Sequence, residues 1–339
     1  MAMQVPLRLV SALLAPVQPA LTLLFCLCGP AMATHEAGDD DRLRVLVWNA
    51  WRGGNEVDLG PEKVLEVVRS VDPDVVLMQE SYDIDGERPT LGRWVAAELG
   101  WSAHQGESPH LCVITRHGIE AEYFHAAWHG VGARITDEQG RAFVAWSIWI
   151  DYRSFLPYAL RDDPTLSDAE LLKCESEGSG RMAQVQALVA AVNEQAAQEP
   201  RLPVLVGGDF NTPSHLDWTV DTARIFRHRR ALPLPVSLEM ATAGFVDTFR
   251  SVHPNPVQNP GITWTPLFRG AGSETEACFS RIDRLYLRGP ANTEADSLRA
   301  VDALTLPAVW EDDAIPVRER TFPSDHGALV VDLVWTGAE

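Results

Sequence analysis

The chain has 339 residues, with 28 lysines and arginines against 47 aspartates and glutamates, and a formal net charge of −19 at pH 7. So acidic a surface repels nucleic-acid backbone and anionic membrane at long range. That argues against a tight, processive DNA-binding protein, yet leaves room for a nuclease whose local site carries cations.

Residues 1–33 hold one charged side chain, Arg8. An apolar stretch from Leu9 to Cys28 precedes Ala31-Met32-Ala33, the small-x-small pattern of a signal-peptidase site, so a cleaved leader is expected. A transmembrane anchor is the alternative. Pro16, Gln18 and Pro19 interrupt the stretch, and it is short for a span. Acylation at Cys26 or Cys28 is disfavoured because bulky Phe25 and Leu27 stand where small residues would be expected. The working chain is then a secreted, extracellular protein of residues 34–339, long enough for one large core.

Leu43 to Trp48 reads as a first strand. Pro61 opens a helix through Ser70 with Val64, Leu65, Val67 and Val68 on its apolar face, and Pro73 ends it. Val75 to Met78 is a buried strand ending at Gln79-Glu80, and a helix is predicted over Leu91 to Leu99. Strands follow at Cys112 to Ile114 and Phe143 to Ile150, the latter fed by a hairpin at Asp137-Glu138-Gln139-Gly140. Residues 152–180, with Pro157, Pro164 and Gly178-Ser179-Gly180, read as a long loop insertion, which is often functional. Met182, Val185, Leu188, Val189 and Val192 mark a helix. Pro203 to Val206 delivers Gly207-Gly208-Asp209, and two more strands cover Ile282 to Leu287 and Ala328 to Trp335. The prolines at 254, 256, 260 and 266 make 250–280 loop-rich. No repeat or linker divides 34–339, so a single α/β domain is expected. Of the cysteines outside the leader, Cys112 reads as a buried small hydrophobe, while Cys174 and Cys278 sit in loop-like contexts where an oxidising compartment would permit a bridge. Arg227, His228, Arg229 and Arg230 form a short basic cluster that suits a solvated helix face.

Four strings carry the chemistry: Trp48-Asn49, Gln79-Glu80, Gly208-Asp209-Phe210-Asn211 and Ser324-Asp325-His326. Each follows or adjoins an apolar run, and polar groups ending several strands of one sheet converge in space. Asn, Glu, Asp and His are what a hard divalent cation and a phosphate ester need. In an extended segment Asp209 and Asn211 point to the same side; Asp and Asn before Pro213 also suit a turn, and both can hold.

In this order, and with Arg281-Ile282-Asp283, the strings resemble the endonuclease/exonuclease/phosphatase superfamily, over roughly 43 to 335. The superfamily includes DNase I-like nucleases, inositol-polyphosphate phosphatases and neutral sphingomyelinases. The resemblance implies a four-layer DNase I-like α/β fold, a two-sheet β-sandwich flanked by helices with the site at one rim. It implies a metal-dependent phosphoester hydrolase using Mg²⁺ (or Mn²⁺ or Ca²⁺). Glu80 resembles the principal metal ligand and Asn49 its support. Asp209 resembles the residue that activates water, and Asn211 the phosphate donor. His326 resembles the transition-state stabiliser, with Asp283 as its carboxylate partner. Asp325 resembles a second carboxylate near the water or a further metal. Arg181 and Gln184 match a helix start whose role looks structural, and Thr263-Trp264 a Thr-aromatic pair.

One departure stands out. The family carries a His at the end of the strand 144–150, and here Trp149 occupies that place; Tyr152, Tyr158 or His129 could substitute. The expected substrate is a phosphate ester (a small ester, a phospholipid headgroup or nucleic acid), handled by a monomer with no obligate protein partner. An extracellular endonuclease is the close rival. A catalytically inactive phosphate-ligand-binding protein on the same fold is the rival of another class.

Overall fold

The apolar runs of the sequence become the strands of two six-stranded sheets stacked face to face in a computed structural model. It describes residues 41–337 apart from 87, 227–228, 266–277, 293 and 313. The leader expected over 1–33 and the pair Arg227-His228 lie outside the described residues, as does Pro266. The first half of the chain runs β1 (Arg42–Asn49), α1 (Gly60–Val71), β2 (Val75–Gln79), the small ribbon β3 (Asp83–Ile84) and β4 (Arg88–Thr90), α2 (Leu91–Leu99), β5 (Ser102–His104) and β6 (Cys112–Thr115). It continues through β7 (Gly118–Ala126), β8 (Gly130–Thr136) and β9 (Ala142–Trp149) to α3 (Leu156–Asp162), α4 (Asp168–Leu172) and α5 (Arg181–Gln198). Then come β10 (Val204–Asp209), α6 (Val220–Ile225), α7 (Pro235–Thr242), β11 (Val246–Asp247), α8 (Thr248–Val252), β12 (Asp283–Arg288), β13 (Ser297–Leu306) and β14 (Ala328–Thr336).

The first sheet has the order β13-β14-β1-β2-β6-β5 and the second β11-β12-β10-β9-β8-β7. Alternate side chains of both meet in one buried layer, including Val45, Val47, Leu77 and Val331 from the first sheet and Val131, Ala145, Leu205 and Leu285 from the second. The opposite face of the first sheet buries Leu46, Trp48, Val76 and Met78 under Val64, Val68 and Val95 of α1 and α2. Val144, Trp146 and Val206 of the second lie under Val185, Leu188, Val192 and Met240 of α5 and α7. The result is the expected four-layer α/β sandwich, and each layer is closed by apolar burial rather than by ion pairs.

Two readings need correcting. Residues 152–180 are not a loop: they hold α3, α4 and a 3₁₀ turn at Lys173–Glu175. Leu156, Leu160, Leu171 and Cys174 pack there with Trp218, Leu232 and Leu234 into a satellite core. Pro157, read as a breaker, stands in the first turn of α3, where no amide donor is needed. Ser167 and Glu170 cap α4 reciprocally. Nor is there a bridge between Cys174 and Cys278: both are free and buried, as is Cys112.

Candidate active site

Strand direction explains why distant residues meet. β1 and β2 are parallel neighbours with Asn49 opposite Gln79, so Asn49 and Glu80 leave the first sheet side by side. In the second sheet Asp209 pairs with Trp149 across a parallel ladder and with Asp283 across an antiparallel one. Paired residues share a face, so Trp149, Asp209 and Asp283 stand in one row. β14 runs antiparallel to β1, which places the residues before it at the same rim. There Trp48 Nε1 donates to the His326 carbonyl at 3.1 Å and Ser324 Oγ to the Asn49 carbonyl at 2.6 Å. The sheets are pinned together beneath the site by Gln79 Nε2 donating to Ser147 Oγ (2.9 Å), which donates to the Met78 carbonyl (2.9 Å). Glycine is required at 208, where a Cβ would fall 1.9 Å from the Ile148 carbonyl oxygen.

Asn49 is the bracket of the site. Its Nδ2 lies 3.2 Å from Glu80 Oε1, 3.1 Å from Asp209 Oδ2 and 3.4 Å from His326 Nε2, while its Oδ1 accepts from Trp51 N at 3.0 Å. Glu80 Oε2 accepts from Arg52 N at 2.9 Å. The Asn211 backbone N–H donates to Asp209 Oδ1 at 2.8 Å, and its Nδ2 donates to the Ile150 carbonyl (2.8 Å) and Asp209 Oδ2 (3.1 Å). Glu80 and Asn211 both adopt left-handed backbone, with φ of 54° and 50°. Such conformations cost free energy in non-glycine residues and persist where surrounding contacts over-determine them.

His326 Nδ1 faces both Asp283 oxygens, at 3.0 and 3.2 Å, and its Nε2 lies 3.9 Å from Asp209 and 4.0 Å from Asp325. Burial works against the imidazolium, yet Asp283 and Asp209 outweigh it and raise its pKa to about 10. Burial raises the Asp209 pKa to about 7; the charge of His326 opposes the rise and that of Asp283 adds to it. Ligand atoms of Asp209, Asp283 and His326 all fall within 4.8 Å of one another.

Above them opens a cavity of about 1050 Å³ whose lining includes Glu80, Asp209, Asn211 and His326. Asn49, Asp283 and Asp325 are fully buried behind that surface. Trp149 lines the cavity, in ring contact with Trp128 (6.4 Å) and Tyr152 (6.0 Å). Tyr158 and Trp264 line it too, 5.9 Å apart. His129 instead donates from Nδ1 to the Trp149 carbonyl at 3.1 Å. Arg181 sits away from the cavity, fully buried, with its guanidinium on the carbonyls of Asp151, Arg153, Ser154 and Cys174. Gln184 Oε1 accepts from Asp151 N at 2.8 Å.

Of the supporting residues, Thr263 and Arg281 stood in the sequence motifs without a role of their own, and His110 escaped the sequence reading. Thr263 Oγ1 accepts from both Ile282 N and Asp283 N at 3.0 Å, seating the start of β12. Arg281 is buried between Asp247 (2.7 and 3.0 Å) and Asp217 (2.9 Å). His110 accepts from Glu80 N at 3.4 Å and donates to the Trp128 carbonyl at 3.2 Å. Burial lowers its pKa to about 4, so it is a neutral imidazole beside the site. The one available signal was a histidine directly before a strand, which is too common to single out.

The profile of the Endonuclease/Exonuclease/phosphatase family matches residues 46–326. The chain belongs to this family. A Caenorhabditis elegans relative, Uncharacterized protein F14F9.5, is 29% identical over 303 residues, covering 86% of this chain and 91% of the relative. Among solved structures, an AP endonuclease from Archaeoglobus fulgidus matches with 17% identity and a TM-score of 0.54, over 85% of this chain and 98% of that one. Danio rerio TDP2, complexed with a single-strand DNA product, gives 13% identity and 0.55, over 87% and 99%. The human Nocturnin catalytic domain with a bound sulfate gives 16% and 0.51, over 87% and 94%. At such identities the three share the DNase I-like fold with this chain.

Proposed function

We propose that the protein is an exported, monomeric, divalent-metal-dependent phosphoester hydrolase, its leader removed after residue 33. Water activated by Asp209 attacks phosphorus in line with the departing oxygen. The observation that carries this reading is the meeting of Glu80, Asp209, Asn211 and His326 on one cavity surface, from strands far apart in sequence.

The donor set suits a hard cation. The Glu80 carboxylate faces the cavity, and Asn49 and Arg52 N fix it through one hydrogen bond to each oxygen, leaving lone pairs for an ion. Glu80, supported by Asn49, would hold Mg²⁺ or a similar ion, which would supply charge neutralisation at the phosphate and leaving oxygen. Asp325 lies deeper, next to His326.

Asp209, with a pKa of about 7, is poised to take a proton from water near neutrality. An oxygen–phosphorus bond forms from that water as the bond to the leaving alcohol breaks. His326 Nε2 donates to one non-bridging oxygen, and Asn211 Nδ2 turns to another the hydrogen it gives Asp209 Oδ2 in the free site, while Asp283 keeps the imidazole charged and oriented. With no nucleophilic side chain involved, no covalent enzyme intermediate forms.

A net charge of −19 and a cavity in which, among the described residues, Arg52 is the one arginine or lysine beside Glu56, Asp83 and Asp85 favour small esters or lipid headgroups over a polyanion. The decisive experiment is hydrolysis of bis(p-nitrophenyl) phosphate in Mg²⁺ by the wild type and by Asp209→Asn, each with and without chelator. Chelator should abolish turnover, and the substitution should lower kcat by about 10²–10⁴-fold. Near-wild-type turnover in Asp209→Asn removes the assigned base. Parallel assays on plasmid DNA and phospholipid vesicles rank the substrates.

A further inference from the structure

The insertion over 152–180 reaches the reactive centre through one buried carboxylate. Glu175, in the 3₁₀ turn after α4, has no exposed surface. Its Oε1 accepts from Thr212 Oγ1 at 2.6 Å, a short bond. Thr212 follows Asn211 directly, and its carbonyl accepts from Arg284 Nη1 at 2.7 Å. The residue after Asn211 is therefore gripped at both its hydroxyl and its carbonyl.

Charge pairing alone does not account for Glu175. Its contact with Arg181 is single-pronged, at 3.4 Å. Arg181 already donates to four carbonyls, from Asp151, Arg153, Ser154 and Cys174. Glu175 Oε2 has no hydrogen-bond partner among the described residues. A buried acid held this way contributes little net stability, because desolvation offsets most of the attraction. What its geometry does accomplish is to hold Thr212.

Asn211 needs such holding. Its left-handed backbone, φ 50°, is disfavoured for an L-residue and relaxes unless neighbours fix it. Asp209 and Ile150 hold it from one side. We infer that Glu175 is a positioning residue which, through Thr212, locks Asn211 in the conformation that keeps its amide on the cavity surface beside Asp209, where phosphate would bind. The insertion thereby completes the active site. This rests on the role given to Asn211 above.

The test uses the full-length protein with bis(p-nitrophenyl) phosphate and Mg²⁺. Thr212→Val keeps the shape and removes the donor; kcat should fall about tenfold with KM within about twofold, and Thr212→Ser should restore it. In an Asn211→Ala background the same change should cost almost nothing further, since it acts through the missing amide. A purely structural role predicts full additivity, and that result overturns the inference, as does an unchanged kcat in Thr212→Val when Asn211→Ala is impaired. Hydrogen exchange supplies a readout independent of turnover. Amides of residues 210–212 should lose protection in Thr212→Val and in Glu175→Ala, and unchanged protection there also overturns it. If Asn211→Ala turns over normally while those amides loosen, the positioning stands and the phosphate-donor role of Asn211 falls instead.

Discussion

Replacing Asp283 by Asn should move the whole pH–rate profile toward acid. The substitution keeps the size of the side chain and removes one charge, at 3.0 Å from His326 Nδ1. With an effective dielectric of about 20, two unit charges at that separation attract by about 5 kcal/mol, equivalent to about four pH units. Asp209 at 3.9 Å and Asp325 at 4.0 Å remain to hold the imidazolium, so the net displacement should be about two to four units. His326, whose pKa is raised to about 10, would then titrate at about 6 to 8. A rate that needs the imidazolium is lost as pH rises through its pKa, so the alkaline limb must come down. The acid limb should move the same way, because the charge of Asp283 helps to raise Asp209 to about 7. The assay is kcat/KM for bis(p-nitrophenyl) phosphate from pH 5.5 to 9.5 at saturating Mg²⁺. At pH 9 the variant should keep about a tenth to a thousandth of its own maximum, while the wild type keeps most of its own. An alkaline limb within about half a unit of wild type refutes the role given to the pair.

Arg281→Ala should destabilise the fold by about 3–5 kcal/mol in urea, because it strands the buried carboxylate of Asp247 and leaves that of Asp217 to Arg250 alone. Burial pushes the Asp217 pKa up, but Arg281 and Arg250 outweigh it and hold it below the usual range. Its contribution to stability is therefore present above the unfolded carboxylate pKa and lost as pH falls through the folded one. The variant's deficit should accordingly be largest at neutral pH and shrink toward pH 3; a deficit independent of pH contradicts this. Gly208→Ala should cost more than about 3 kcal/mol or prevent folding, since its Cβ falls 1.9 Å from a backbone oxygen that has nowhere to go. Near-UV circular dichroism reads that outcome, and a native-like spectrum with an unchanged melting temperature counts against the close approach of β9 and β10.

What could be read from the sequence follows a physical division. Glu80, Asp209 and Asn211 were visible because each lies at or just beyond the end of a buried strand, β2 or β10, whose apolar run announces itself. The helices α1, α2 and α5 were equally plain from their spacing. Residues 152–180 were not, because α3 and α4 have 7 and 5 residues, too few for helical periodicity to show. Their order comes from packing on Trp218, Leu232 and Leu234, which sequence proximity does not reveal. β13 was missed for a different reason: a bulge between Ala300 and Asp302 breaks the alternation that marks a strand. Thr212 and Glu175 were invisible because a threonine or a glutamate has many uses, and only its tertiary partner selects one.

The same division explains why the order of the motifs carried more information than their spacing. Each sheet contributes one parallel pair, β1 with β2 and β9 with β10, so the carboxyl ends of four strands reach one rim. β12 and β14 run against these pairs and bring their amino ends, Asp283 and the residues around His326, to the same rim. A strand's direction fixes which of its ends can bear a functional residue, whatever the length of the connection before it. The insertion between β9 and β10 could therefore grow into α3 and α4 without moving Asp209. Grown there, it lies beside the loop that follows Asp209, where Glu175 meets Thr212 and where Tyr152, Phe155 and Tyr158 form part of the cavity wall.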